Sequence, residues 1–350
     1  MSDAEKQFSN FKIHSQYSIC EGAIKLDELA SFCKEKKIKS IGICDSYNLC
    51  GALEFSEKVS KIGTQPIIGT QINFTIDEVI GKIPLFATTE LGYKNLIKLS
   101  SLSYLNTDEK NEPRCHIKNL TDSNNELIIL SGNYNDLFGK LFKANKIKKI
   151  VETVELLKSF FGDRFYFEIQ RHGEAEESEF ENFLIKLSLK LDIPLIASQE
   201  VYYLDSSMHE AHDALICIGT KSFIDDPNRE KFSNQHFFKN DEDLIELFKD
   251  IPEALENNYN FPYRFNFKPK KSSPILPVIE TEKGTTVEVE LLNQAKLGLK
   301  NRLENFIFKK KSDLDKKKII SIYEDRLLHE IEIINSMDYP SYFLIVSDYI

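Results

Sequence analysis

Four polar side chains that could bind a cation or transfer a proton fall within the first 75 residues: His14, Glu21, Asp45 and Gln71. Each lies at the end of a short apolar stretch or in the polar turn that follows it. Histidine and carboxylate groups are the side chains that most often ligate metal ions or move protons. If the apolar stretches are strands of one sheet, these side chains share the edge formed by the carboxyl ends of the strands. The sequence therefore predicts a polar site at that edge.

The elements that must position these residues are strands alternating with helices. A helical spacing of apolar residues occurs, for example, in residues 25–36, between two of the apolar stretches. This alternation favours right-handed crossovers and an α/β fold built on a parallel sheet or barrel. Seven apolar stretches are predicted to be strands, at residues 11–14, 41–44, 66–74, 83–87, 127–130, 164–170 and 194–197.

Composition limits the class of protein. A chain of 350 residues with 41% hydrophobic residues suggests one large domain and part of another. A net charge of -10 excludes a protein that coats nucleic acid uniformly, so any DNA contact must be local. No apolar run reaches membrane-spanning length, and we expect a soluble, cytoplasmic protein without a membrane partner. The cysteines form no CxxC pair and are predicted to be reduced core thiols: Cys20, Cys33, Cys44, Cys50, Cys115 and Cys217.

The second half of the chain changes character at a Pro-, Lys- and Ser-rich segment, residues 262–277, which we interpret as a domain boundary. Asp241 is a plausible N-cap of the helix that follows it, and residues 309–318 are predicted to be a basic loop. The chain ends in an apolar run without a cap, which suggests truncation. Further helices are predicted at 138–160, 208–218, 241–248, 287–306 and 323–334, and one more starting at Pro340.

Eight stretches resemble one known family in the correct order along nearly the whole chain. They are residues 13–18, 45–54, 66–69, 92–96, 167–173, 225–229, 247–255 and 337–346. The family is that of the polymerase and histidinol phosphatase (PHP) domain that opens the alpha subunits of bacterial replicative DNA polymerase III. The resemblance implies a distorted seven-stranded βα barrel over residues 8–270. It also implies that residues 271–350 begin the polymerase palm, as a mostly helical start of a second domain.

The resemblance also implies a metal site, which this sequence departs from. PHP domains that hydrolyse phosphoesters hold several metal ions through His, Asp and Glu at strand ends, since bound cations activate water. His14 matches the second His of an HxH pair, and Glu21 and Glu200 stand where Asp is usual. Six of nine expected ligand positions carry other residues. Asp45 lies next to this degraded ligand set, in which we expect no metal. These departures are Lys12, Ser46, Gln71, Lys82, Asn133 and Tyr202.

Other candidates are interpreted as structural. His172 is expected to hold a loop by bonding backbone groups. His209 and His212 have a spacing that can bind zinc, but no third ligand is evident. The lysine-rich runs are predicted to be solvated faces, with residues 309–318 the best candidate for a DNA contact.

The leading functional hypothesis is the amino-terminal part of a DNA-directed DNA polymerase, with no catalytic residue inside this segment. The resemblance implies that the whole enzyme uses magnesium bound by acids beyond residue 350. It implies as partners a DNA primer–template, a proofreading exonuclease that docks on the PHP domain, the sliding clamp and clamp-loader subunits. One alternative is a stand-alone PHP metal phosphoesterase. A third hypothesis is a non-catalytic module that docks a partner.

Overall fold

Two compact units make up the chain in the computed structural model: Met1–Lys271 and Ser272–Ile350. The structure describes residues 6–108, 111–273, 279, 281, 284–309 and 312–350. The first unit contains the strands, and the second is helical. The predicted α/β class with a helical second part is confirmed.

The strands of the first unit form a curled, half-barrel sheet of seven strands and a separate two-stranded pair. In the seven-stranded sheet the order is β2-β3-β4-β6-β7-β8, and β5 pairs with β3. The short pair joins β1 to β9 in parallel, with Lys12 opposite Glu200 and Ile13 opposite Val201. The strands are β1 Lys12–Ile13, β2 Ser40–Ser46, β3 Gln65–Ile76, β4 Val79–Ala87, β5 Arg114–His116, β6 Leu127–Leu130, β7 Phe165–Ile169, β8 Leu195–Ala197 and β9 Glu200–Val201.

The prediction of a uniformly parallel sheet was wrong for β4. Strands β2, β6, β7 and β8 pair in parallel with their sequence neighbours, whereas β4 is antiparallel to both β3 and β6. The reason is local, because β3 passes directly into β4 through Asp77 and Glu78, with no crossover helix between them. Asp77 adopts a left-handed conformation (φ 51°), which permits this tight turn.

Ten helices are described in the first unit. Their apolar faces cover the sheet; in α1, for example, Leu26, Leu29 and Cys33 are buried at helical spacing. The single helix predicted at 138–160 is two helices, separated at Asn145, which has a φ of 54°. The helices are α1 Leu26–Lys36, α2 Ala52–Lys61, α3 Glu90–Leu105, α4 Ile117–Thr121, α5 Leu137–Lys143, α6 Ile147–Phe161, α7 Glu177–Leu191, α8 His209–Thr220, α9 Asp241–Phe248 and α10 Pro252–Asn260.

One local detail of the first unit corrects a prediction from the sequence, and a second explains a close approach of two chain segments. The N-cap of α9 is Asn240 rather than Asp241, since the Asn240 side chain accepts a hydrogen bond from the Asp243 amide at 2.8 Å. Gly42 in β2 lies against the chain just before β1. A Cβ atom there would stand 2.4 Å from the carbonyl oxygen of Phe11, so a side chain has no room. This close approach brings Lys12 and His14 into the interior.

The second unit contains three α-helices among its described residues: α11 Val287–Arg302, α12 Asp313–Ser336 and α13 Pro340–Tyr349. A π-helical turn, Leu303–Ile307, extends α11. Leu291, Ile331 and Leu344 form its small buried core. The predicted basic loop at 309–318 was wrong in its second half, because Ser312 caps α12 and residues 316–318 are helical; residues 310 and 311 lie outside the described residues. None of the helices in the described parts of the chain is long and apolar enough to span a membrane.

Candidate functional site

A fully buried ammonium group lies at the centre of the site. Lys12 has no exposed surface, and its Nζ lies 3.4 Å from Glu168 Oε2, 3.5 Å from Glu200 Oε1 and 3.5 Å from Asp136 Oδ2. Glu168 projects from β7 and Glu200 from β9, while Asp136 is the N-cap residue of α5. We call these four residues the Lys12 cluster. It joins three separate parts of the barrel through one cation.

His14 lies beside this cluster and is fully occupied by hydrogen bonds. Its Nε2 is 2.9 Å from Glu200 Oε1 and 2.9 Å from Gln71 Nε2, and its Nδ1 is 3.1 Å from Ser18 Oγ. The Gln71 amide also donates to Glu200 Oε1 at 2.5 Å. The Ser18 hydroxyl also donates to Asp45 Oδ1 at 2.7 Å. Both ring nitrogens of the buried His14 therefore have protein partners within hydrogen-bond distance.

Asp45 at the end of β2 is enclosed by donors. Its Oδ1 accepts from the Ser15 amide at 2.7 Å and from Ser18 Oγ at 2.7 Å, and its Oδ2 accepts from Ser15 Oγ at 2.8 Å. Burial raises the pKa of Asp45, although these hydrogen bonds oppose the shift. All three donors belong to Ser15 and Ser18, in the turn that follows β1.

A second lysine neutralises Glu21. Lys82 Nζ lies 2.9 Å from Glu21 Oε1 and 2.9 Å from Ser46 Oγ, and Ser46 Oγ donates to Glu21 Oε2 at 2.5 Å. Burial favours the neutral form of Glu21, but Lys82 outweighs it and holds the pKa of Glu21 below its ordinary value. Lys82 and Glu21, at two of the ligand positions that the family resemblance implies, thus form an internal ion pair. Ser46, at a third such position, is hydrogen-bonded to both.

Electrostatics keep the central lysine charged. Burial opposes the charge on Lys12, yet Glu168, Glu200 and Asp136 outweigh burial and raise its pKa. Burial likewise opposes ionisation of Glu200, but Lys12 and His14 hold the pKa of Glu200 well below its ordinary value. For Asp136 and Glu168 burial wins over the attraction to Lys12, and their pKa values are raised. One ammonium group shared by three carboxylates explains this difference.

The remaining members of the predicted set complete a wall around the cluster. Asn133 Nδ2 donates to Glu200 Oε2 at 2.6 Å. The Tyr202 ring stacks on His14, with centroids 4.3 Å apart and planes 16° from parallel. Every residue predicted for the degraded site is therefore brought to one place.

His172 differs from expectation, and His212 has a backbone partner that the sequence did not indicate. His172 does not hold its loop through its ring, since the backbone amides of His172 and Gly173 donate to Glu177 instead. The His172 ring stacks on His236 with centroids 4.0 Å apart, and burial lowers the pKa of His172 well below its ordinary value. His212 Nε2 lies 2.8 Å from the Glu21 carbonyl oxygen, and burial lowers the pKa of His212 to about 4. Both rings are buried.

A cavity of about 460 Å³ opens over the cluster. Its lining includes Glu21, Lys82, Asp136, Glu200, Tyr202 and His236. Sequence reasoning missed Asp136, Glu168 and His236 as members of this site. The available signal was that Lys12 and Glu168, residues of opposite charge, both fall inside apolar strand patterns.

The residues present do not fit a metal. Within the described residues, no group of three or more His, Cys, Asp and Glu side chains is arranged to hold a metal ion. The three carboxylates that converge do so on Lys12 Nζ at 3.4–3.5 Å, whereas a divalent transition metal needs oxygen ligands at about 2.0–2.2 Å. A positive charge already stands where the carboxylates meet.

Comparison with known families matches both units of the chain. Residues 10–172 match the PHP domain, and residues 290–350 match the family described as the bacterial DNA polymerase III alpha NTPase domain. These matches identify a PHP domain followed by a polymerase III alpha segment.

Whole-chain relatives agree with this domain order. The chain is 37% identical to the DNA polymerase III subunit alpha of Caulobacter vibrioides over 364 residues, covering 100% of this chain and 31% of the relative. It is 35% identical to the subunit of the same name from Rickettsia bellii, covering 99% of this chain and 30% of that one. The chain belongs to the bacterial DNA polymerase III alpha subunit family, and it spans about a third of the length of these relatives.

Among solved structures, a candidate metal-dependent phosphoesterase from Bifidobacterium adolescentis matches with a TM-score of 0.38 and 11% identity. The match covers 55% of this chain and 87% of that one. A likeness at this level carries no argument about the site.

Proposed function

We propose that this chain forms part of a replicative DNA polymerase that extends a primer along a DNA template. Support comes from the relatives named DNA polymerase III subunit alpha, which align with essentially the whole chain. In such an enzyme, acids elsewhere in the protein hold two magnesium ions, which align the primer hydroxyl and stabilise the leaving pyrophosphate. The sliding clamp and clamp loader act on the same assembly.

Within that enzyme the PHP domain is a scaffold that hydrolyses no phosphoester. The observation that carries this proposal is the position of the Lys12 ammonium among Glu168, Glu200 and Asp136. Water bound to a metal becomes a nucleophile because the metal lowers its pKa. An ammonium group cannot coordinate water in this way. The same observation disfavours a stand-alone PHP phosphoesterase.

The test is a paired assay of metal content and hydrolysis. The purified protein is dialysed against Mn²⁺ or Zn²⁺, its metal content is measured, and it is incubated with p-nitrophenyl phosphate and with single-stranded DNA. We expect less than stoichiometric metal and no hydrolysis above that of His14→Ala. A stoichiometric metal together with hydrolysis that His14→Ala abolishes would contradict the proposal.

The barrel also serves as a docking surface for a separate proofreading exonuclease. A replicative polymerase needs error removal, and the Lys12 site is unsuited to supply it. A candidate surface lies at the end of α8 and in the segment after it, where the exposed fractions of Ile218, Phe223 and Ile224 are 70%, 83% and 57%. Arg229 fixes this segment, because it donates to the Ile224 carbonyl oxygen at 3.0 Å and forms a forked ion pair with Asp213. Exposed apolar side chains on a fixed segment are typical of a protein interface.

This part of the proposal is tested with the exonuclease subunit of the same organism. Phe223→Ser should weaken its binding to the protein roughly tenfold, since burial of a large side chain at an interface is worth about 1–3 kcal/mol. Leu189→Ser, which changes a residue that is 82% exposed on α7, is the control and should leave binding unchanged. If calorimetry gave wild type and Phe223→Ser equal affinities for the exonuclease, this segment would not be part of the interface.

A further inference from the structure

The Lys12 cluster contains the only ammonium group found within ion-pair distance of its three carboxylates in the described residues. Lys82, the next lysine in the site, is bonded to Glu21 and Ser46 instead. Glu168 has further donors, since Gln170 Nε2 lies 2.6 Å from its Oε1 and Ser198 also donates to it. These neutral donors relieve part of the charge, and Lys12 supplies the compensating cation.

The arrangement is that of a cation with its ligands rather than a surface salt bridge. The side chains of Lys12 and Glu168 have no exposure, and those of Glu200 and Asp136 are 3% and 8% exposed. Carboxylates that converge within 3.5 Å of one point repel one another in a poorly solvated interior. A positive charge at that point relieves this repulsion. A bound metal or a lysine can provide it, and this chain provides the lysine.

We propose that Lys12 is a built-in cation that takes the place of a metal ion: it holds β1, β7, β9 and the start of α5 together and excludes divalent cations from the carboxylates. The inference rests on the proposed metal-free state of the PHP domain. It adds that this state is enforced by one side chain. The carboxylates themselves remain a latent cation site.

A double-mutant cycle on the whole chain tests the first half of the inference. Lys12→Met keeps the length of the side chain and removes its charge, and it should lower the melting temperature by roughly 5–15 °C because it leaves buried carboxylates uncompensated. Glu168→Gln removes one carboxylate with little change in shape. The double variant should melt higher than Lys12→Met alone, since it carries one buried negative charge fewer. Lys58→Met, which removes an exposed ion pair with Asp27, is the matched control and should shift the melting temperature by no more than about 2 °C.

Metal addition tests the second half. Millimolar Mn²⁺ should raise the melting temperature of Lys12→Met and of Lys12→His, with one Mn²⁺ bound per chain, and should leave wild type and Lys58→Met unchanged. If Lys12→Met is recovered only as insoluble protein, the double variant and Lys12→His carry the test, and soluble recovery of either supports the inference.

Three results would overturn the inference. They are a double variant no more stable than Lys12→Met, a Lys12→Met melting temperature equal to that of Lys58→Met, and the absence of any Mn²⁺ effect in both Lys12 variants. These failures are distinct from failure of the proposed function. That failure would appear as metal-dependent hydrolysis by the unaltered protein.

Discussion

Removal of the Asp45 carboxylate should destabilise the barrel without impairing polymerisation. Asp45 is 2% exposed and accepts three hydrogen bonds, from the Ser15 amide, the Ser15 hydroxyl and the Ser18 hydroxyl. In Asp45→Ala all three donors lose their acceptor. The two hydroxyl groups can rotate toward other acceptors, but the Ser15 amide cannot.

The expected magnitude follows from these contacts. A buried donor left without a partner costs about 1–3 kcal/mol, so Asp45→Ala should lower the free energy of unfolding by about 2–4 kcal/mol. Asp45→Asn keeps an oxygen for the Ser15 amide and Ser18 and loses one acceptor. Because burial already opposes the charge of Asp45, the loss of that charge costs little, and Asn should cost about 1 kcal/mol.

The assay compares unfolding and turnover. Calorimetric melting of wild type, Asp45→Ala and Asp45→Asn should rank in the order wild type, Asn, Ala. In the full-length polymerase, primer extension per folded molecule should stay within about twofold for all three, since a scaffold position leaves the transition-state barrier of the reaction unaltered. His14→Ala and Glu200→Gln should behave in the same way. A melting temperature unchanged in Asp45→Ala, with extension reduced more than tenfold, would refute the structural role.

Three further outcomes are expected. His212 has a folded-state pKa of about 4, below the ordinary 6.5, so the unfolded chain binds its proton first. The free energy of unfolding should therefore fall as the pH decreases from about 6.5 to 4. Urea unfolding at several pH values should show a pH dependence in His212→Gln that is weaker than in wild type by up to one bound proton. An equal pH dependence of the two proteins would contradict this. Gly42→Ala should lower the free energy of unfolding, measured with urea, by at least roughly 1–3 kcal/mol, because the new Cβ atom would meet backbone atoms. In the control Gly298→Ala, in α11, the Cβ atom has no neighbour within 4 Å, and the change should be neutral or stabilising. If the basic start of α12 contacts DNA, the double variant Lys317→Ala, Lys318→Ala of the full-length protein should bind primer–template more weakly. The slope of log affinity against log salt concentration should become smaller in magnitude by about 2. An unchanged slope would exclude the contact.

Sequence reasoning located Asp45 and Ser46 because they end the well-marked strand β2. Gln71 was also predicted, although it lies inside β3 rather than at its end; the parallel pairing of β2 and β3 places Asp45 opposite Thr70 and Ser46 opposite Gln71. Glu200 was predicted as well, although β9 has only two residues, because the family resemblance identified it. Strong local patterns and an ordered set of motifs were sufficient for these residues.

The missed residues depend on contacts that are distant in sequence. Asp136 lies 124 residues from Lys12, and Glu168 lies 156 residues away. The apolar strand pattern around Glu168 indicates a buried acid, but neither its sequence neighbours nor those of Asp136 identify Lys12 as the partner. The turn at Asp77 and Glu78 was missed for another reason: it lacks the Asn-Gly or Asp-Gly pair that marks a two-residue hairpin turn. The break at Asn145 likewise contains neither Pro nor Gly.

The attachment of the cation to the chain has a consequence for the scaffold. A barrel held by a dissociable metal gains stability only in proportion to the logarithm of the free metal concentration over its dissociation constant. A barrel held by Lys12 has its cation at the cluster whenever the chain is folded, so its stability is independent of metal supply. Lys12 and the acids of the cluster compensate each other's charge. Without Lys12 the acids would need another cation, and without the acids the buried ammonium group would be uncompensated. The four residues of the Lys12 cluster therefore form one energetic unit. Changes in the free energy of unfolding caused by substitutions within the cluster should be strongly non-additive. Lys82 and Glu21 form a separate ion pair, so the effects of substitutions there should add to those in the cluster more nearly independently.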